Sequence, residues 1–377
     1  MNQATLRCTL SAIALACLSG AAQADEAFTY SGFASFVAGR VIAGDRTEPL
    51  NSYTCPCFIA DYGHGALYAP HWSVKQESKV GLQGTYTFTP ALSGTVQVVG
   101  RGVDGVKASL EWAYLSYDLS PSWTIQVGRK RLPIYYYSDF QDVGYAYTWV
   151  RPPADIYGWE VTNYNGVNAT YRTELAGWAV KSNLFGGGEY VKESLMQRIY
   201  YETPQRLAWR NIVGGDLVFS KDWLTTRATY IQSHVQQWDR TDGSMVTPDP
   251  GTHPDVRYEK QKIYGISANI DIDNWFVRSE YSIFDRSGYS YKSRAYMIGA
   301  GARLGKFTPM ITHTRYKERN DFFPDEIQHD KGWSATLRYE LTDSIALKAQ
   351  YDLFKDHSGM DYVKDSKLVS FSLDTVF

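Results

Sequence analysis

The chain of 377 residues lacks any marked charge imbalance: 38 Lys and Arg face 40 Asp and Glu, a formal net charge of −2. Near-balance argues against nucleic acid or another polyanion as partner. It also lacks a membrane helix. Mean hydropathy is −0.35, and beyond the N-terminus no uncharged apolar run reaches the roughly 18 residues such a helix needs. That excludes a helical membrane protein but leaves a barrel open. Helical periodicity is almost absent after Asp25. Catalytic signatures are missing too: there is no Gly-x-Ser-x-Gly and no His-Glu-x-x-His, and adjacent Ser233 and His234 fall on opposite strand faces. Gly299-Ala300-Gly301 lies within a strand pattern with no helix after it, so it reads as small wall residues rather than a nucleotide loop. No enzyme activity, metal centre or cofactor is expected. What is abundant is aromatic: 29 Tyr, 16 Phe and 11 Trp, with 31 Gly, a mix that favours strands and tight turns.

Residues 1–24 read as an export leader, with Arg7 as the positive end, Cys8 to Leu18 as the apolar stretch and Ala22-Gln23-Ala24 as the cleavage site. A lipoprotein reading at Cys17 is weaker, because Ala14 stands where a larger aliphatic is usual. Residues 25–377 then form one domain.

Within it, apolar and polar residues alternate at period two. Trp333, Ala335, Leu337, Tyr339 and Leu341 oppose Ser334, Thr336, Arg338 and Glu340; Val369, Phe371 and Leu373 oppose Ser370, Ser372 and Asp374. About sixteen such segments are expected, over residues 27–39, 74–89, 93–101, 106–118, 123–131, 164–173, 177–185, 209–219, 223–234, 261–272, 274–285, 293–304, 306–316, 332–341, 344–355 and 366–377. Each is close to the ten residues a tilted strand needs to cross a bilayer. The links alternate short and long. Pro90-Ala91-Leu92, Ser120-Pro121-Ser122, Glu174-Leu175-Ala176, Lys221-Asp222, Asp273, Gly305 and Thr342-Asp343 are tight, and the other eight are longer on average. Trp123, Trp223, Trp275 and Phe307 begin strands beside these turns, while Tyr86, Phe88, Tyr117 and Phe219 end them, as an aromatic girdle would. The expectation is an all-β transmembrane antiparallel barrel. A soluble sandwich does not fit the ionised side chains on the polar face of nearly every strand.

On these grounds, and on Val127-Gly128-Arg129, the long link after it and the terminal Phe377, the chain resembles a Gram-negative general porin. The resemblance covers Phe28 to Phe377 as architecture. It implies an outer-membrane homotrimer among lipid and lipopolysaccharide, with a third outer loop folded into the lumen and small hydrophilic solutes and ions diffusing passively. It further implies recognition of the last strand, ending at Phe377, by the outer-membrane assembly machinery, and a subunit contact at Arg129. Parity agrees that Arg129 is unusual: it shares the lipid-facing side of Trp123, Ile125 and Val127, where a lone charge would cost roughly 2 to 4 kcal/mol near the midplane, so it needs a protein partner.

The third long link, residues 132–163, departs from the enterobacterial pattern by lacking Pro-Glu-Phe-Gly-Gly and by its density of aromatics. Tyr135, Tyr136, Tyr137, Tyr145, Tyr147 and Trp149 are read mainly as anchors to the wall, with a few left to line the pore and stack on aromatic or sugar-like solutes. Asp139, Asp142 and Asp155 are its candidate acids. Parity puts Lys75, Glu77, Lys79, Arg101, Lys107, Glu111 and Lys130 on the lumen wall, with Arg172, Lys181, Arg227, Arg278, Glu280, Arg303, Arg338 and Lys348 further round. Bases outnumber acids there, which favours a slight anion preference unless the loop acids cancel it. The faces of the first, fourth and thirteenth segments, and of His313 and Arg315, are left unassigned. Cys55-Pro56-Cys57 in the first long link calls for a disulfide in an exported chain, either within the chain and redox-labile or between chains. His64 and His71 follow, but the spacing is not a standard zinc pattern. A closed barrel with an enzymatic, adhesive or scaffold role is the rival from another class.

Overall fold

The computed structural model describes residues 27–377 apart from 47, 51–52, 201–202, 249–250, 252–254, 287–290, 322–323, 326 and 360–362. The expected leader, with Cys8 and Cys17, lies outside the described residues. Sixteen strands form the barrel. The first half is β1 Phe28–Gly44, β2 Lys79–Thr89, β3 Leu92–Arg101, β4 Ala108–Asp118, β5 Trp123–Arg131, β6 Asn163–Leu175, β7 Trp178–Val191 and β8 Gln205–Lys221. The second half is β9 Leu224–Asp239, β10 Glu259–Ile272, β11 Trp275–Arg286, β12 Tyr291–Ala302, β13 Phe307–Arg319, β14 His329–Thr342, β15 Ile345–Asp356 and β16 Ser366–Val376. Every neighbouring pair is antiparallel, and β1 closes the circuit by pairing with both β2 and β16. Phe377 exchanges backbone hydrogen bonds with Gly32 in both directions, at 2.7 and 3.0 Å, which seals the seam. Among the described residues no helix is long and apolar enough to cross a membrane.

Burial is inverted relative to a water-soluble fold. Large apolar side chains such as Leu82, Ile311, Trp333 and Phe371 are exposed, while Ser370, Asp374, Gln350 and Thr312 are buried. Period two supplies this directly, since successive side chains leave opposite faces of a strand. Closure into a barrel then leaves no open sheet edge, so the strands' backbone N–H and C=O groups find ladder partners on both sides, the one way strands tolerate hydrocarbon.

All sixteen expected segments are strands, with differences confined to their ends. β1, β7, β8 and β9 run several residues further at the long-link end than the alternation suggests. Ladder pairing there continues beyond the height at which lipid enforces an apolar face. Conversely β2 begins at Lys79 and β4 at Ala108, so Lys75, Glu77 and Lys107 fall in links and the parity that assigned them to the wall does not apply. The tight turns keep their expected places and use left-handed backbone at Ala176, Gly177, Asp222, Asp273 and Gly305. For Gly305, at φ 60°, this is the conformation a side chain resists.

The first long link, residues 45–78, carries its own hairpin, Phe58–Asp61 against Ala66–Tyr68. Cys55 and Cys57 are joined by a disulfide, and both are buried with Ile59, Tyr62 and Leu67 against Ala154, Ile199 and Val363. A charge on the apolar exterior tests this orientation: Leu337→Arg is expected to lower unfolding free energy in lipid by roughly 2 to 4 kcal/mol, measured by denaturant titration in vesicles, whereas Ser334→Arg on the opposite face should cost far less.

Candidate functional site

Residues 132–162 have no ladder of their own, only single turns at Ser138–Phe140, Gly144–Ala146 and Ala154–Tyr157. Beyond the hydrogen bonds of these local turns, their backbone is satisfied by side chains on the polar faces of distant strands. Arg227 of β9 donates to the carbonyls of Pro133 (2.9 Å) and Tyr135 (2.7 Å). Glu280 of β11 accepts from the Tyr136 amide (3.0 Å) and the Tyr157 hydroxyl (2.5 Å). Arg338 of β14 reaches the Tyr145 and Tyr147 carbonyls at 2.5 and 2.8 Å, and Lys348 of β15 reaches those of Gly144 and Trp149 at 2.6 and 2.7 Å. Thr312 of β13 receives the Trp149 indole N–H at 2.8 Å.

Most of the loop's aromatics serve this docking. Trp149 is 1% exposed and Tyr135, Tyr137, Tyr147 and Tyr157 are also buried, in one cluster with wall residues Phe276, Phe284, Met297 and Met310. Burial pushes the phenols of Tyr135, Tyr147 and Tyr157 well above their ordinary range. Tyr136, Phe140 and Tyr145 are only partly buried.

Two ionic clusters pin the loop. At its start, Asp142 meets Arg101 of β3 at 2.8 Å, Lys79 at 3.7 Å and, at shorter range, Arg131 of β5; Glu111 of β4 joins the same two guanidiniums at 2.8 and 3.3 Å. Burial alone would raise the Asp142 carboxyl, but Arg101, Arg131 and Lys79 outweigh it and hold it well below the usual range. Further on, Arg151 spans Glu77 at 2.6 Å and Asp352 of β15 at 2.6 Å, donates to Ser370 of β16 at 2.6 Å, and lies over the rings of Phe58 and Tyr68. One arginine thus ties the third link to the first and to the wall. Removing it would leave two buried carboxylates without a counter-charge, a loss of about 3 to 5 kcal/mol.

Arg131 and Arg151 were missed by parity, Arg131 because it sits at a strand end and Arg151 because it is in a loop. The available signal was a lone base inside a dense aromatic run, which must find acids once buried. Of the expected acids, Asp142 is an anchor, and Asp155 accepts a hydrogen bond from Thr314 with no base beside it. Asp139 is exposed, with no hydrogen bond or ion pair among the described residues. Lys75 and Lys107 are exposed in links, while Glu77 belongs to the Arg151 cluster. Arg129 finds its protein partner within the chain: Glu189 of β7 at 2.7 Å and the Leu110 carbonyl at 2.7 Å. His64 lies 2.7 Å from Asp61.

The loop leaves one sector of wall untouched. No hydrogen bond or ion pair joins residues 132–162 to Gln126, Lys130, Asn168, Arg172, Lys181 or Asn183 among the described residues. Most of these bond to other wall residues: Lys130 donates to Gln126 and, at 3.1 Å, to Asn168; Gln126 to Ser116 at 3.4 Å; Arg172 to Thr124 at 3.1 Å; Asn183 to Asp216 at 2.9 Å. Asp139 faces this sector, within electrostatic reach of Lys130, Tyr114 and Tyr164. On the loop's other side a cavity of about 520 Å³ is lined by Tyr136, Tyr145, Arg278, Arg303, Arg338 and Glu340, among others. Arg278 and Arg303 share Asp271 at 2.8 and 2.5 Å and both lie over the Phe276 ring.

No family model and no curated protein matches the chain. Solved structures do, at low identity. OmpF of Salmonella typhi, in complex with daunomycin, shares 14% identity at a TM-score of 0.62 over 93% of this chain and 97% of that one. The outer-membrane channel DcaP of Acinetobacter baumannii gives 11% and 0.59 over 93% and 97%. An anion-selective porin from Comamonas acidovorans gives 12% and 0.57 over 93% and 99%. The chain therefore has the fold of outer-membrane porins.

Burial also pushes the Asp155 carboxyl up, from its ordinary 3.8 to about 6, against the opposing hydrogen bond from Thr314. A carboxyl raised in the folded state favours folding while protonated. Its contribution is whole below about pH 4 and is lost as pH rises through about 6, a change on the order of 3 kcal/mol. Asp155→Asn should therefore gain thermal stability over the parent at pH 7 but not at pH 4, read from heat-dependent mobility of the folded barrel in detergent. An equal difference at both pH values would contradict this.

Proposed function

We propose that this chain is a non-enzymatic outer-membrane channel through which small hydrophilic solutes and ions diffuse passively, with residues 132–162 lying in the lumen as its constriction. The observation that carries the reading is the untouched polar sector. Asp139, which has no ion pair among the described residues, lies within electrostatic reach of Lys130 on the wall, and Lys130 in turn is within reach of Lys181, Arg172 and Asp216; fixed charges of both signs across a gap are what a water-filled waist needs. Parity makes Arg101, Arg227, Arg338 and Lys348 pore charges, but each is bonded to the loop. Selectivity then rests on the few charges left over: Lys130, Arg172 and Lys181 against Asp139, since Asp216 is paired with Arg227 at 3.5 Å, which gives a preference for anions. In a planar bilayer with a KCl gradient, Asp139→Asn should move the reversal potential towards stronger anion preference, and Lys130→Gln with Lys181→Gln should move it the other way. Unchanged potentials would reject this waist.

The cavity beside Tyr136 and Tyr145 favours a second reading within the same class, a channel that retains aromatic or sugar-like solutes. Tyr135 and Tyr137 are docked into the wall, so a stacking role falls to Tyr136, Phe140 and Tyr145.

The assembly proposed is a homotrimer. On the exterior of β1 to β5, Phe28, Tyr30, Leu82, Tyr86, Val96 and Leu115 surround a depression of about 810 Å³ whose floor includes Gly84 and Gly94. Arg129 lies on the same side of the barrel, which keeps it as a proposed subunit contact in addition to its bond with Glu189. Val96→Arg is expected to convert a trimer into monomers on native electrophoresis of folded protein in mild detergent. A monomeric parent would overturn the assembly.

A further inference from the structure

On the tight-turn side of the docked loop the interior holds a positive charge that the wall does not balance. The wall residues lining the cavity of about 520 Å³ there lie nearer the tight turns than Arg227, Glu280 and Thr312, which mark the level of docking. On its loop side stands Tyr137, edge-on to Trp149 at 5.5 Å and to Phe140 at 5.4 Å. The cavity is thus a recess beneath the loop, and it shares no lining residue with the polar sector around Lys130.

Its charged lining is Arg278, Arg303 and Arg338 against Asp271 and Glu340, three guanidiniums to two carboxylates and a surplus of one positive charge. Glu340 answers Arg338 at 2.7 Å, and the Tyr145 and Tyr147 carbonyls hold the same guanidinium. The surplus therefore sits at Asp271, where one carboxylate oxygen takes Arg278 at 2.8 Å and Arg303 at 2.5 Å. Both guanidiniums lie over the Phe276 ring, at 4.7 and 4.9 Å, which keeps them side by side. The Arg303 side chain is half-exposed, so a ligand can reach it. Directly opposite Arg278 in the strand register is Asn269, which is 5% exposed and lines the recess. Its side-chain amide nitrogen has no hydrogen-bond partner among the described residues. A buried donor without an acceptor is costly, and a ligand that brings the acceptor removes the cost. Tyr136, Phe140 and Tyr145, the loop aromatics left partly buried, line the same space.

We propose that this recess binds a small carboxylate carried on an aromatic ring. The inference rests on the second channel reading, of a barrel that retains solutes beside Tyr136 and Tyr145, and it narrows their class. One surplus charge suits a monoanion. The planar fork of Arg303 presents paired N–H groups that a carboxylate accepts bidentately, and Asn269 adds a further donor. The tyrosine and phenylalanine faces then cover the ring. A neutral sugar would leave the charge unanswered, and a phosphate dianion would exceed it.

The test is a ligand-observed NMR titration of the folded barrel in detergent, corrected for micelles alone, with benzoate, benzyl alcohol and acetate as probes. Benzoate should bind at least about tenfold more tightly than either of the others, because one lacks the charge and the other the ring. Arg303→Gln should weaken benzoate about tenfold and leave benzyl alcohol as it was. Asp271→Asn removes the internal carboxylate that competes for the same guanidiniums. It should tighten benzoate, a gain that impaired folding does not imitate. Arg294→Gln, an exposed base on β12 outside the recess, should bind as the parent does. Equal binding of benzyl alcohol would reduce the recess to an apolar hollow, and equal binding of acetate would reduce it to an anion patch. Either result overturns the proposal, as do unchanged benzoate affinities in both Arg303→Gln and Asp271→Asn. Should Arg303→Gln not fold, the three probes on the parent and the gain in Asp271→Asn decide. Stepwise conductance without probe keeps the two readings apart. A barrel that conducts without binding benzoate defeats this inference alone, and one that binds benzoate without conducting defeats the channel and leaves the site standing.

Discussion

The structure depends on one constraint: a segment of some thirty residues without a ladder must have its backbone polar groups satisfied wherever water does not reach them. Residues 132–162 meet it by borrowing from the wall. Arginine and lysine side chains of β9, β14 and β15 donate to six of the loop's carbonyls, while Glu280 and Gln350 accept from the amides of Tyr136 and Val150. The aromatic cluster supplies apolar burial for the same docking. Neither would suffice alone, because burial without hydrogen bonds would strand the backbone, and hydrogen bonds without burial would compete with water.

This constraint sorts the charges of the interior into two kinds. Those facing β9 to β16 and the start of β3 to β5 are committed to the loop or to each other, with Arg151 and Asp142 at the two junctions. Those on β5 to β8 opposite Asp139 make no bond to the loop and bond only to wall neighbours. A barrel whose interior charges were all committed would be a plug. The uncommitted sector makes the channel reading physical, and it shifts the seat of selectivity from the wall as a whole to a handful of residues. On the exterior, outward Arg129 is likewise paired, with Glu189 at 2.7 Å.

Much of the fold was legible because period two and link length are properties of sequence. All sixteen strands, the tight turns and the importance of the third long link follow from them. Face was legible as well: Arg338, Lys348 and Glu280 do point inward. Partnership was not, because parity gives a direction without saying whether water or a loop lies in it. That is why Lys348 reads as a pore charge and proves to hold the carbonyls of Gly144 and Trp149. Loop residues escaped for a related reason. Arg151, the first-link hairpin and the docking of Cys55 and Cys57 against Ala154 depend on contacts between segments far apart in the chain. Strand limits at the long-link end erred because pairing there outlasts the alternation that revealed it.

The account turns on the gap between Asp139 and the β5 to β8 wall being the open conduit. Its most direct measurement is single-channel current from Asn183→Cys, exposed to a bulky water-soluble thiol reagent, beside Thr312→Cys, which lies behind the docked loop. Both positions are read against the native disulfide, which does not react. Stepwise current should be present in both variants, and the reagent should cut it sharply at position 183 while leaving it nearly unchanged at 312. Absence of stepwise current from folded protein, or block at 312 with none at 183, would contradict the account.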